Sequence, residues 1–235
     1  MELSSGEAVT LHPRGILFDM DGVLVSSLGS VERSWEKWAQ ARGVDPALAL
    51  GTAHGRRAIE TIRLLRPDLD DLKELEWLEE MECEDKIGLE ILAGVERILE
   101  TLPENSWTVV TSATERLARS RMEHGGLRGP AHIVSAEMVT RGKPHPEPYL
   151  RGAELLGLAP AECLVIEDSA SGAQAGRAAG CTVLATLYSH ALASLSDAHW
   201  VVPSLDEVHV QVVGDFLDVR FTPVDRPIAA PAHCI

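Results

Sequence analysis

Two carboxylates with a single residue between them close the apolar run in GILFDMDGVLV, residues 15–25: Asp19 and Asp21 follow directly on Ile16, Leu17 and Phe18. A short apolar run of this kind reads as a buried strand, and residues two apart on extended chain point to the same side. Like charges held so close repel unless a cation lies between them or one of them carries a proton. The pair therefore predicts a metal, a proton or a substrate at the end of that strand.

Three further places bring reactive groups to a strand end or a helix start. In WTVVTSAT an apolar run passes into Thr111, Ser112 and Ala113 ahead of a helical stretch, so hydroxyls and free N–H groups meet at a helix N-terminus, a natural anion site. In RGKPHPEPY, Lys143 lies between Gly142 and Pro144, and the prolines stiffen its loop. In CLVIEDSASG a strand ends in Glu167 and Asp168, with Ser169 and Ser171 placed to cap the next helix. Ligands of open α/β sheets bind at the carboxyl ends of the strands, so the four places should share one crevice. There Asp19, Asp21 and Asp168 form a hard oxygen cage with open positions, the kind Mg²⁺ takes when a phosphate completes its shell. Lys143 and the Ser112 region supply positive charge and donors for phosphate oxygens.

The elements that must position these groups follow from the apolar pattern. Short, partly β-branched runs (ILF, WTVVTS, CLVIED, CTVLAT, HWVVPS) alternate with helical periodicity, which predicts a parallel, Rossmann-like sheet covered by helices, an α/β fold. Residues 28–92 differ: apolar residues recur at helical spacing (Val31, Trp35, Trp38, Ala39, then Leu72, Leu75, Leu78, Met81) with no convincing strand. They are expected to form an inserted helical cap, leaving a discontinuous core of residues 14–27 and 93–221 and a loosely held tail from 222 to 235. The tryptophans read as cap core rather than cofactor contacts. The acidic run PDLDDLKELEWLEEMECEDK reads as the solvated face of one cap helix, not a metal or partner site.

Bulk properties exclude several classes. The 235 residues, 45% hydrophobic, suffice for one soluble core with an insertion. With 21 Lys and Arg against 36 Asp and Glu, a net charge of −15 has the wrong sign for a nucleic-acid binder. No stretch approaches the roughly 18 apolar residues of a membrane span, and MELSSGEAVTLHPRG shows no basic region followed by an apolar one, so a cytoplasmic location is expected. Cys83, Cys163, Cys181 and Cys234 lack metal or disulfide spacing.

DMDGVLV, VVTSAT, GKPHPEPYL and VIEDSASG, in this order, resemble the four motifs of the haloacid dehalogenase superfamily of phosphotransferases, over about residues 15–202. The helical insertion is similar to the cap of the subgroup with sugar phosphatases and β-phosphoglucomutase, and TSAT with GKPHPEPYL is most similar to its deoxyglucose-6-phosphatase and glycerol-phosphatase branch. The resemblance implies that Asp19 is a nucleophile forming an aspartyl-phosphate and that Asp21 protonates the leaving alcohol and later activates water. It implies that Ser112, or Thr111 one residue earlier, holds the phosphate and that Lys143 bridges nucleophile and phosphate. Asp168 then holds Mg²⁺ with Asp19 and the Asp21 backbone carbonyl, while Glu167 supports or joins them. Two departures concern the cap connections: Ser26 stands where the family commonly has Asp, an exchange of one good helix cap for another, and Ala93 stands where a Pro is common.

The leaving-group pocket is expected from TAHGRRAIETI, with His54 and Arg56 reaching hydroxyls of a small sugar or polyol phosphate; Arg56 falls where related enzymes place an Arg on the substrate. A phosphomutase is the alternative, but mutases of this subgroup carry a His at the position of Val31. A dehalogenase is disfavoured because that branch lacks the second Asp, and a silent binding module because every reacting residue is in place. The partner is a small-molecule phosphate ester, and the chain is expected to act as a monomer.

Overall fold

The computed structural model describes residues 6–53, 55–130 and 132–225. In chain order its strands are β1 (Val9–Leu11), β2 (Gly15–Phe18), β3 (Val25–Ser26), β4 (Glu90–Ile91), β5 (Trp107–Val109), β6 (Cys163–Glu167), β7 (Thr182–Thr186), β8 (Trp200–Val202), β9 (His209–Val213) and β10 (Phe216–Phe221). Its α-helices are α1 (Leu28–Arg42), α2 (Pro46–Ala53), α3 (Ala58–Leu65), α4 (Asp71–Glu84), α5 (Val95–Thr101), α6 (Glu115–His124), α7 (Glu147–Leu155) and α8 (Ala170–Ala178).

The five apolar runs read from the sequence form one parallel sheet in the order β5-β2-β6-β7-β8, an α/β Rossmann-like core. Alternation along each strand divides its side chains between two layers. Ile16, Phe18, Leu164, Ile166, Leu184 and Val202 enter one core with Val95 and Ile98 of α5 and Ala118 and Met122 of α6. Leu17, Val165, Val183, Ala185 and Val201 enter the other, with Tyr149 and Ala153 of α7 and Ala173 and Ala175 of α8. Strand β2 lies between β5 and β6, so its C-terminal end, where Asp19 begins, has a strand end on either side. The ladder runs on past β2, with Asp19 N–H donating to Ile166 O at 2.9 Å and Val110 N–H to Phe18 O at 2.8 Å.

Between β3 and β4 the helices α1–α4 close on a core of their own, built from Trp35, Trp38, Ala39, Ala49, Ala53, Ile62 and Leu78. Trp35 and Trp38 meet edge to face at 5.4 Å, so the tryptophan stripe is packing, as the spacing suggests. The two passages of chain into and out of this unit run antiparallel, β3 against β4, a two-residue pair inside a stretch that reads as strandless in the sequence. Ser26 belongs to β3 rather than capping α1: its Oγ lies 2.6 Å from Tyr188 Oη, and the N-cap of α1 is Ser27, without a side-chain cap bond.

Three expectations need correction. A second sheet, β1-β10-β9, antiparallel, covers the first core with Val210, Leu217, Val219 and Phe221; the sequence reading ended at the parallel strands and missed it. The start of the tail is held, since Val224 is buried in the second core and its N–H donates to Val201 O at 2.8 Å, while residues 226–235 lie outside the described residues. Finally, α4 is not merely a solvated acidic face. Its buried stripe is Glu74, Leu78 and Glu82, whereas Leu72 is exposed; Glu74 accepts from Trp38 Nε1 at 2.9 Å and Arg42 Nε at 2.7 Å. Burying a carboxylate is costly unless it is paired, and both glutamates have found cations.

Candidate active site

Lys143 stands at the centre of the strand-end cluster. Its Nζ, almost fully buried, donates to Asp19 Oδ1 and Glu167 Oε1, both at 2.7 Å, and to Val110 O at 3.2 Å. The loop carrying it is braced from behind by Glu147, which accepts from the N–H groups of Thr140 and Arg141 at 2.7 and 3.1 Å. Glu167 is fully buried and its two oxygens are fully engaged. Besides Lys143, Oε1 accepts from Tyr149 Oη at 2.7 Å; Oε2 accepts from Asp168 N at 2.9 Å, Ser169 N at 3.0 Å and Ser169 Oγ at 2.9 Å. Five donors exceed the roughly four lone-pair sites of a carboxylate. The following helix is packed directly against it: a Cβ at Gly172 would lie 1.7 Å from Oε1.

One oxygen each of Asp19, Glu167 and Asp168 lies within 4.8 Å of the others, all three residues being buried. Three carboxylates face one ammonium, and the imbalance is visible in their proton affinities. Burial, against the opposing pull of Lys143, pushes Asp19 up to about 7. Burial and the neighbouring Glu167 and Asp19 push Asp168 well above the carboxylate range. For Glu167 burial acts upward but Lys143 outweighs it and the net direction is down; for Lys143 burial acts downward but Asp19 and Glu167 outweigh it and the net direction is up. A divalent cation beside Asp19 and Asp168 would supply the missing positive charge, and an all-oxygen donor set suits Mg²⁺. The Asp168 carboxylate rests against the backbone of Gly22, φ +82°, where a Cβ would meet Oδ2 at 1.9 Å.

Asp21 departs from the cage expected of it. Its carboxylate is outside that cluster and accepts from Arg121 Nη1 at 2.7 Å. Thr111, Ser112 and Ala113 lie beside Asp19 at the crevice wall, below the start of α6, whose N-cap Thr114 accepts from Leu117 N at 3.3 Å. The Thr111 hydroxyl accepts from Ala113 N at 3.0 Å, while Ser112 Oγ lies 3.5 Å from Gly55 O, on the helical unit's side of the crevice. Arg56 is exposed and lines the same crevice. Its neighbour Arg57 is buried and donates to Ala136 O, Val139 O and Thr140 O at 3.2, 2.7 and 2.7 Å, tying α3 to the Lys143 loop. His54 lies outside the described residues.

The crevice between sheet and helical unit is a cavity of about 140 Å³. Asp19, Lys143 and Asp168 form its floor. Leu28, Val31, Trp35, Leu75 and Leu78 line the helical side, with Glu79 and Glu82 beside them. Arg121, Glu79, Glu82 and Tyr149 are absent from the sequence reading. A signal existed for two of them: Arg121 lies four after Leu117 and three after Ala118, and Glu82 four after Leu78, so each interrupts an apolar helical stripe.

The model of the haloacid dehalogenase-like hydrolases matches residues 13–180. The chain belongs to this family. Among haloacid dehalogenase-like relatives, hexitol phosphatase A of Escherichia coli K12 is 40% identical over 202 residues, covering 84% of this chain and 94% of its own. Glycerol-1-phosphate phosphohydrolase 2 of Saccharomyces cerevisiae is 30% identical over 191 residues, covering 75% of each. The β-phosphoglucomutase structure of Clostridium difficile shares the fold, with a TM-score of 0.71 at 21% identity, covering 83% of this chain and 92% of that one. This haloacid dehalogenase-like chain is accordingly a phosphoric monoester hydrolase, in line with the hexitol phosphatase and the glycerol-1-phosphate phosphohydrolase. No helix among the described residues is long and apolar enough to cross a membrane.

Proposed function

We propose that the chain is a Mg²⁺-dependent phosphatase of small sugar or polyol phosphates, acting through an aspartyl-phosphate on Asp19. The observation that carries this reading is the Asp19–Lys143–Glu167 chain at the floor of a crevice roofed by a separate helical unit. In this reading residues 28–92 are the cap, and the core takes in β1 and Val224 as well as residues 14–27 and 93–221. Asp19 and Asp168, with the Asp21 carbonyl, would hold the metal, and Mg²⁺ there would supply positive charge against the phosphate oxygens that oppose a carboxylate's approach. Glu167, its oxygens already spent on protein donors, orients Lys143 and the Asp168 backbone instead.

An Asp19 oxygen attacks phosphorus as the bond from phosphorus to the sugar oxygen breaks, and Asp21 gives its proton to that oxygen. Lys143, Ser112 Oγ and the N–H groups at the start of α6 hold the phosphoryl oxygens through the transfer. Asp21 then takes a proton from water, the hydroxide attacks phosphorus, and inorganic phosphate leaves with the Asp19 carboxylate restored. Thr111 Oγ1 accepts from Ala113 N and keeps its own proton to donate, so the Thr111 hydroxyl is the alternative to Ser112.

The leaving group occupies the cap side of the crevice. Its apolar wall suits carbon chains, and Glu79 and Glu82 offer acceptors to hydroxyls. A neutral polyol or sugar fits this wall, and phosphoglycolate, with a second anion, is the comparison. Val31, in the wall, has no imidazole to restrain water activation, which favours hydrolysis over phosphoryl return to a sugar. A panel of sorbitol 6-phosphate, glycerol 1-phosphate, 2-deoxyglucose 6-phosphate and phosphoglycolate, read as kcat/KM with phosphate release, tests the reading. The neutral polyol and sugar esters should lead. Phosphoglycolate as the best substrate, or isomerised sugar phosphate forming faster than free phosphate, would overturn it.

A further inference from the structure

Among the described residues, Arg121 is the largest fully buried charged side chain, and the phosphoryl-transfer scheme does not use it. It lies on the core helix α6, 2% exposed, and its guanidinium faces two carboxylates from different parts of the chain. Nη1 donates to Asp21 Oδ1 at 2.7 Å, and Nη2 donates to Glu82 Oε2, on the cap helix α4, at 2.9 Å. Nε is buried with no partner. Both carboxylates and the arginine line the crevice.

A guanidinium is a planar, rigid fork of donors, so two carboxylates bound to its two arms have fixed directions relative to each other. Asp21 needs such direction. Its side chain is 30% exposed, it follows strand β2 in a turn, and its carboxylate accepts from the arginine. A carboxyl group that transfers a proton must lie within hydrogen-bond reach of the leaving oxygen, and one free to rotate spends little time there. Glu82 supplies the second constraint, because it holds the other arm only while α4 is seated against α6. With the cap displaced, a buried cation would keep one carboxylate of its two and lose its fixed orientation.

We propose that Arg121 is a positioning residue: it aims the Asp21 carboxylate at the leaving oxygen, and Glu82 locks that aim to the seated cap. The inference rests on reading Asp21 as the acid that protonates the leaving group. It explains why an arginine is buried under the active site at all, since its charge is compensated from both sides of the crevice and its fork is shared between the chemistry and the lid.

The test uses leaving groups of different need for a proton. Expulsion of p-nitrophenolate requires little protonation, whereas phenol and glycerol depart poorly without it. For wild type, Arg121→Lys, Glu82→Gln and the paired Arg121→Met/Glu82→Met, kcat/KM is measured with p-nitrophenyl phosphate, phenyl phosphate and glycerol 1-phosphate under saturating Mg²⁺. The ratio kcat/KM reports only the steps through departure of the alcohol, so water activation does not enter. Arg121→Lys should lose at least about tenfold more on phenyl and glycerol phosphates than on p-nitrophenyl phosphate, and Glu82→Gln a smaller part in the same sense. Equal losses on all three esters for Arg121→Lys would mean a structural role alone and would overturn the proposal. Should the paired variant not fold, the two single variants carry the comparison, with circular dichroism as the check. Asp21→Asn is the reference: if it discriminates among the esters and Arg121→Lys does not, this inference fails by itself; if Asp21→Asn does not discriminate, the acid assignment fails with it.

Discussion

At the scale of single residues, the site is a problem of charge. Lys143 touches Asp19 and Glu167 at 2.7 Å each, and a third carboxylate, Asp168, lies beside them. Asp19→Asn keeps the shape and removes the attacking oxygen's charge, so turnover should fall by at least about 1,000-fold while the fold persists, measured by phosphate release and circular dichroism. Substantial residual turnover would exclude Asp19 as nucleophile. Glu82, on the helical unit, offers a pH signature of its own. Burial, only partly offset by Arg121, raises its pKa from 4.5 to about 6. The folded state therefore binds more protons than the unfolded state between those values, and the contribution is present below about 4.5 and lost as pH rises through about 6. The stability difference between pH 4.5 and pH 7 should change by about 2 kcal/mol in Glu82→Gln relative to wild type, in the sense that wild type loses more on going to pH 7. Urea denaturation at the two pH values reads it, and identical pH dependence in both proteins would contradict it.

At the scale of elements, the contact between α3 and the Lys143 loop is one joint between helical unit and core. Arg57 opens α3 and spends its guanidinium on three carbonyls, those of Ala136, Val139 and Thr140, and on Glu60. Hydrogen bonds from a charged group are worth about 1.5–3 kcal/mol each, so losing the equivalent of one costs about tenfold in an equilibrium. Arg57→Met should raise KM for a sugar phosphate by about tenfold through poorer seating of the helical unit. The near-ultraviolet signal of the Trp35–Trp38 pair should persist, because that pair belongs to the helical unit's own core. An unchanged KM, or loss of the tryptophan signal, would contradict the joint.

At the scale of the whole molecule, the parallel sheet gathers three strand ends and the Lys143 loop at one edge, and the helical unit closes over them. The cost is a concentrated negative charge in a protein already at −15. Mg²⁺ should stabilise the fold as well as permit turnover. At a concentration about 100 times its Kd the stabilisation is about 2.7 kcal/mol, or a rise in Tm of about 5–10 °C for a chain of this length. Chelation should abolish activity and reverse the shift; Ca²⁺, with oxygen distances of about 2.3–2.6 Å against about 2.0–2.1 Å for Mg²⁺, should raise Tm yet support turnover poorly. Full activity after exhaustive chelation would exclude the metal-dependent mechanism.

Much of this molecule is determined by local chemistry in the sequence. Strand alternation and helix capping act over a few residues, so the runs ending at Asp19, Thr111 and Glu167 could be placed without coordinates, and the convergence of their ends follows from parallel topology. The helical spacing within residues 28–92 was legible for the same reason, and α1–α4 form there. The antiparallel sheet β1-β10-β9 was legible only in part: β9 and β10 form a local hairpin around Gly214 and Asp215 that the reading passed over, whereas β1 becomes a strand only by pairing across some two hundred residues, Val9 with Phe221. The Arg121 contact with Asp21 and Glu82, which joins residues 100 and 39 positions apart, was not legible. Helical periodicity can mark a charged residue on an apolar stripe, but not which charge will face it. That is decided when rigid helices pack, since a buried ion must find its partners among whatever side chains the tertiary structure brings within about 3 Å.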